Sequence, residues 1–124
     1  MTSILVIDDD IQILSCLRIV LESAGYTTDC TTNGSEALRY CQQKNYDLIL
    51  CDVFMPDNNG LEVILELRRR KSRTKVIAMS GGSGVGLPNF LDAMIDFGAC
   101  STLAKPFDAT KLLDAIEEVL CSTV

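Results

Sequence analysis

The chain has 124 residues, 48% hydrophobic and 23% charged, which suits one soluble globular domain and excludes a disordered polypeptide. A net charge of −6 argues against nucleic-acid binding by the domain as a whole, and no apolar run is long enough to cross a membrane. With no histidine anywhere, Ser-His-Asp, Cys-His and histidine acid–base chemistry are excluded, leaving carboxylates, hydroxyls, lysine and a metal as candidate reagents.

Strand-like and helix-like periods alternate along the chain. Residues 3–7 form a short aliphatic strand that runs straight into Asp8-Asp9-Asp10. Ile11, Leu14, Leu17, Leu21 and Ala24 then recur at helical spacing as far as Gly25. Residues 26–31 read as a second strand, and Asn33 with Glu36 three residues on reads as a capped helix start. A third strand is expected over 46–51, and a helix over about 61–70 after the turn MPDNNG. Residues 75–79 give a fourth strand, followed by the glycine-rich SGGSGVGLP and a helix over about 88–97 closed by Gly98. Residues 100–104 form a shorter fifth strand, and Leu112, Leu113, Ile116, Val119 and Leu120 mark a final amphipathic helix. Five β-α units with short connections imply an α/β fold with a parallel sheet covered on both faces, and residues 1–124 are expected to be one domain.

The six cysteines (Cys16, Cys30, Cys41, Cys51, Cys100, Cys121) show no C-x-x-C spacing. Most of them are read as small core residues of a reducing compartment, not as a zinc set. The stretch RRRKSRTK, residues 68–75, holds six of the eleven basic side chains. It reads as the cationic end of a helix, with a partner-docking or anion-binding patch as the alternative. The absence of a basic leader makes the cytoplasm the expected location, and Met1 together with the stop soon after the last helix suits a stand-alone protein.

In open α/β sheets ligands bind beyond the carboxyl ends of the strands. Here the first strand ends in Asp8-Asp9-Asp10, the third in Asp52, the fourth in Ser80 and the fifth in Lys105. Asp8, Asp9 and Asp52 would share Lys105 as their one local cation, and an oxygen-only donor set of this kind suits Mg²⁺. A lysine and a hydroxyl facing a metal-bound carboxylate form a clamp for a phosphoryl group, so the chemistry implied is phosphorylation of an aspartate. Asp10, one residue before a helix, reads as its N-cap and not as a ligand.

The acids of VIDDD, the aspartate of LILCDVFMPDNNG, Ser80 in IAMSGG and the Lys-Pro-Phe of LAKPF stand in an order that closely resembles the receiver domains of two-component response regulators. The resemblance covers the whole chain. It implies a flavodoxin-like, CheY-like sheet of order 2-1-3-4-5, doubly wound with five helices. It makes Asp52 the phosphoacceptor, Asp9 the principal metal ligand, Asp8 its supporting acid and the Phe54 carbonyl a further ligand. Mg²⁺, or Mn²⁺ in its place, would be the cofactor. Ser80 and the Gly81 backbone would contact the phosphoryl group, Lys105 would pair with it, and the bond before Pro106 would be cis.

The same resemblance implies a phosphohistidine donor, a sensor histidine kinase or histidine phosphotransfer protein. The domain would catalyse only its own phosphorylation and dephosphorylation, and its output would be a downstream protein partner, with neither nucleic acid nor membrane. Two departures stand out. Thr102 occupies the usual aromatic switch position, so the signal would pass through backbone and loop movement, or through Phe107 or Phe90. The glycine-rich loop is longer than usual and suited to rearranging when Ser80 engages phosphate.

Neither the Walker nor the dinucleotide pattern is complete in that loop, since Leu87 and Pro88 stand where their required residues belong. A haloacid-dehalogenase-type phosphatase is the alternative enzyme reading of Asp8-x-Asp10, but Gln12 replaces the expected Thr or Val and Asp52 stays unexplained. A non-phosphorylated binding module of the same fold is the other alternative.

Overall fold

A computed structural model describes residues 2–53, 59–80 and 90–121. Among them lie β1 (Ser3–Ile7), α1 (Ile11–Ser23), β2 (Thr27–Thr31), α2 (Gly34–Gln43) and β3 (Leu48–Asp52). The second half adds α3 (Asn59–Arg69), β4 (Lys75–Ser80), α4 (Phe90–Phe97), β5 (Ser101–Ala104) and α5 (Ala109–Cys121). The strands form one parallel sheet in the order β2-β1-β3-β4-β5, as expected.

The two faces follow from the strand period of two. Ile4 and Val6 of β1, with Leu48 and Leu50 of β3, face a core closed by Leu14, Leu17 and Leu21 of α1 and by Leu112, Ile116 and Val119 of α5. Leu5 and Ile7, with Ile49 and Cys51, face the opposite core, closed by Ala37 of α2, Val63, Ile64 and Leu67 of α3, and Met94 of α4. Because β1 and β3 are covered on both sides, they read as unbroken apolar runs, and each is buried throughout. Each large aliphatic in these layers contributes roughly 1.5–3 kcal/mol by leaving water.

Local chemistry sets the helix ends. The Asp10 side chain accepts from the Gln12 and Ile13 amides and so starts α1, as expected. Asn33 accepts from the Glu36 amide, but the reciprocal half of the cap is not made. The Glu36 carboxylate instead accepts from the Thr31 hydroxyl at 2.6 Å, and that same hydroxyl accepts from the Asn33 amide at 3.2 Å. The third strand starts at Leu48, later than expected, and Tyr46 just before it donates its hydroxyl to Asp29 at 2.7 Å. Pro88 and Asn89, expected at the head of the fourth helix, lie outside the described residues.

Three helices end in the same hydrogen-bonded reversal, with a left-handed residue just past the last turn. In α1 this residue is Gly25 (φ 95°) and in α4 it is Gly98 (φ 127°), but in α3 it is Lys71 (φ 55°). There the Lys71 amide reaches the Arg68 carbonyl and the Ser72 amide the Leu67 carbonyl, both at 3.0 Å. A lysine in this conformation costs about 1 kcal/mol that glycine would not.

Arg68 and Arg69 fall in the last turn of α3, as a cationic helix end requires, while Lys71 and Arg73 lie past the helix and Lys75 opens β4. Hydrogen bonds from Arg69 and Arg70 hold Glu66 down at about 2. The cysteines correct the expectation. Of the six, Cys51 alone is buried, while Cys16, Cys100 and Cys121 are exposed, because apolar neighbours in sequence lie on other faces of a helix or turn.

Candidate functional site

The carboxyl ends of β1, β3, β4 and β5 lie along one edge of the sheet, and they bring Asp8, Asp52, Ser80 and Lys105 together. Asp8 is held from two sides. Its amide donates to the Thr31 carbonyl at 3.2 Å, and its Oδ1 accepts from the Asp10 amide at 2.9 Å. The other oxygen, Oδ2, is left for Lys105, whose Nζ lies 2.5 Å away. The same ammonium is 3.3 Å from Asp52 Oδ2.

Asp8 and Asp52 are both buried, and the Lys105 side chain is only 14% exposed. Burial pulls the Lys105 ammonium towards deprotonation. The hydrogen bond to Asp8 and the charges of Asp52 and Asp8 outweigh it, so the net shift is upward and the group stays charged.

Lys105 owes its place to its neighbours on both sides. Its amide donates to the Ser80 carbonyl at 2.8 Å, which ties the ends of β4 and β5 together. The peptide bond to Pro106 is cis, as expected. Thr102, on β5, is half-buried and opposite Ala78 in the ladder. Phe107 packs on the α1–α5 side, where it lines a groove of about 570 Å³ with Ile13, Cys16 and Leu17.

Oxygens of Asp8, Asp9 and Asp52 all lie within 4.8 Å of one another, with Asp9 on the exposed side of the group. Three carboxylates and no nitrogen or sulfur donor fit a hard divalent cation that keeps several of its waters, so the residues present fit Mg²⁺. Asp10 is turned away to cap α1 and is not in this group. Phe54, Gly81 and the glycine-rich loop as far as Pro88 lie outside the described residues.

Gly60 is a contributor whose role the sequence reading missed. A Cβ built on it would overlap the Asp52 carbonyl oxygen and lie 3.0 Å from Val53 Cα, so only glycine lets the start of α3 pass against the end of β3. The spacing of eight residues from Asp52 was legible, but the close approach behind it was not. The Thr31 carbonyl that holds Asp8 was equally invisible, since a backbone acceptor leaves no mark on residue type.

Fold and site together define a doubly wound α/β domain whose sheet edge gathers two buried aspartates, an exposed one and a lysine between them. The family model of the response regulator receiver domain matches residues 4–117, and the chain belongs to that family, the receivers of two-component systems. It is 34% identical over 117 residues to the transcriptional regulatory protein YkoG of Bacillus subtilis, covering 94% of this chain and 50% of the relative. To ResD of the same organism it is 32% identical over 119 residues, covering 96% and 48%.

The chain thus spans about half the length of these curated relatives. Their names mark them as transcriptional regulators, which speaks against the phosphatase reading. Among solved structures, the Vibrio cholerae chemotaxis protein CheY4 is similar with a TM-score of 0.86 and 29% identity, over 96% of this chain and 98% of that one. The receiver domain of Francisella response regulator 1452 is similar with a TM-score of 0.86 and 28% identity, over 97% of each chain.

Proposed function

We propose that residues 1–124 act as one receiver unit that accepts a phosphoryl group on Asp52 from a phosphohistidine donor and thereby changes its affinity for a protein partner. The observation that carries this reading is the Lys105 ammonium shared between Asp8 Oδ2 and Asp52 Oδ2 in a buried, carboxylate-lined pocket. Asp9 would be the principal ligand of Mg²⁺, with Asp8 and Asp52 completing the acidic set and the Phe54 carbonyl as a further donor. Bound there, Mg²⁺ (or Mn²⁺) would neutralise phosphoryl oxygens and lower the repulsion an incoming phosphate meets.

The remaining work falls to the chain's own groups. One Asp52 oxygen attacks phosphorus in line while the leaving group departs on the opposite side. Lys105 moves from the carboxylates towards the new phosphoryl oxygens, and the Ser80 hydroxyl with the Gly81 amide donates to them. Removal of the group by water at the same centre restores the carboxylate, so the domain turns over only itself.

The donor would be a sensor histidine kinase or a histidine phosphotransfer protein. Among the described residues no helix is long and apolar enough to span a membrane, and a cytoplasmic location is proposed. The chain's acidity favours a protein as the output partner. Since its relatives are transcriptional regulators of about twice its length, any DNA contact would belong to a further domain. With Thr102 at the switch position, Phe107, two residues beyond Lys105 on the α1–α5 groove, is the aromatic placed to follow movement of the lysine.

Incubation with acetyl phosphate and Mg²⁺ should add the mass of one phosphoryl group to the chain and none to Asp52→Asn. An unmodified wild type, or an equally modified Asp52→Asn, would reject the assignment.

A further inference from the structure

We infer that the cavity between the ends of α3 and α4 binds a small phosphorylated molecule with an apolar body, at the opposite end of the sheet from Asp52. The cavity, about 270 Å³, has an aliphatic floor of Ile64, Leu67 and Val76 and a rim formed by Arg68, Lys71, Ser72 and Thr74. Among the described residues no carboxylate lines it, in a chain with seventeen acidic residues. Gly98 closes one side, where a Cβ on it would lie 3.5 Å from the Arg68 stem and 3.7 Å from Ile64.

The rim groups have donors to spare. Arg68 gives one N–H to the Asp96 carbonyl at 2.6 Å, and its other N–H groups remain for a ligand. The Ser72 hydroxyl accepts from the Thr74 amide at 3.1 Å, which leaves its proton to donate. Lys71 and Arg73 have no ion-pair partner among the described residues, whereas Arg69 and Arg70 are engaged by Glu66. Thr74 spends its own proton on the Tyr46 carbonyl at 2.8 Å and serves as wall, not donor.

The competing explanation is that these cations merely complement two helix C-termini. Each terminus is equivalent to about half a negative charge. Of the six cations in residues 68–75, Lys75 donates to the Val119 carbonyl and Glu66 engages Arg69 and Arg70, so Arg68, Lys71 and Arg73 remain, more positive charge than the two helix ends offset. The position of Lys71 points the same way. The matching sites in α1 and α4 are filled by the glycine that a left-handed backbone favours, and here a strained lysine is held on the cavity rim instead. An arginine fork, an ammonium and a hydroxyl on the rim of a cavity with an aliphatic floor match a phosphate dianion joined to an apolar group.

The test uses phenyl phosphate as the probe, titrated into the full chain without Mg²⁺ and followed by amide chemical shifts. Saturable shifts confined to 68–76 and 96–99 are expected, with affinity about tenfold above that of inorganic phosphate. Lys71→Gly, which relieves backbone strain and so keeps the fold, should weaken the probe at least about tenfold, and Lys71→Arg should largely retain it. Non-saturating shifts, equal affinity for phenyl phosphate and inorganic phosphate, or undiminished binding by Lys71→Gly would overturn the inference. A short DNA duplex that binds there in preference to phenyl phosphate would overturn it in favour of a polyanion surface.

Discussion

Gly60 passes so close to Asp52 that a Cβ on the glycine would occupy the space of the aspartate's own carbonyl oxygen. The start of α3 and the end of β3 are therefore in backbone contact, and the orientation of the proposed acceptor depends on a residue eight positions away. The nearby Cys51 thiol donates to the Gly60 carbonyl at 3.4 Å, which strengthens the same junction from within the core. Gly60→Ala should cost about 1–3 kcal/mol in urea unfolding, as overpacking does, and should slow phosphorylation by acetyl phosphate in the protein that remains folded. A variant with unchanged stability and rate would remove Gly60 from this role.

The acidic triplet divides into separate jobs, and two substitutions separate them. Asp10→Ala loses the cap of α1 and should cost about 1 kcal/mol, with Mg²⁺ affinity changed less than about threefold. Asp9→Ala should leave unfolding nearly unaltered and weaken Mg²⁺ binding by more than about tenfold. Calorimetric titration with Mg²⁺ beside urea unfolding reads both. The pattern reversed between the two variants would mean that Asp10, not Asp9, faces the ion.

Lys105→Met keeps the unbranched stem of the side chain and removes its charged end. Asp8 and Asp52 are then buried without their shared cation, so the variant should be less stable than wild type at neutral pH in the absence of Mg²⁺. Added Mg²⁺ should recover more stability in the variant than in the wild type, because the pocket is one positive charge poorer. Phosphorylation by acetyl phosphate should fall by about a hundredfold or more. Thermal melts with and without the ion, and single-turnover mass shifts, check the three statements.

Midway along β2, the Tyr46 hydroxyl holds Asp29 below its ordinary 3.8, with smaller help from Lys44. Burial, and then the hydrogen bond to Asp29, raise Tyr46 well above its ordinary 10.0. The lowered acid contributes stability that is present above pH 3.8 and lost as pH falls through its folded value. The raised phenol contributes stability that is full below pH 10.0 and is lost as pH rises through its folded value. Tyr46→Phe should therefore cost about 1 kcal/mol between those limits, since Asp29 keeps part of its hydration, and less outside them. Urea unfolding of both proteins from pH 3 to pH 8 should show the gap narrowing towards acid.

Much of this was legible in residue order. Unbroken aliphatic runs named the covered strands, Asp10 named the start of α1, and the polar residues after four strands named one edge of the sheet. What escaped depended on direction in space. Glu36 was read as a partner for the Asn33 amide, yet the Thr31 hydroxyl lies nearer and takes it. Cys16, Cys100 and Cys121 have apolar neighbours in sequence but point to solvent, because a helical turn or a strand end separates neighbours onto different faces. Tyr46 has strand propensity, but backbone bonding to the neighbouring strands begins only at Asp47.

The ion pair between Asp8 and Lys105 joins positions 97 residues apart. Asp52 alone is an ordinary carboxylate; what makes it a proposed acceptor arrives from β1 at one extreme of the chain and from β5 near the other. A nascent chain still lacking residue 105 would carry the acceptor without its clamp, and a chain in which β5 has peeled away would lose it again. Acquisition of the phosphoryl group would therefore depend on β5 being docked at the sheet edge, which makes the proposed clamp a property of the assembled sheet.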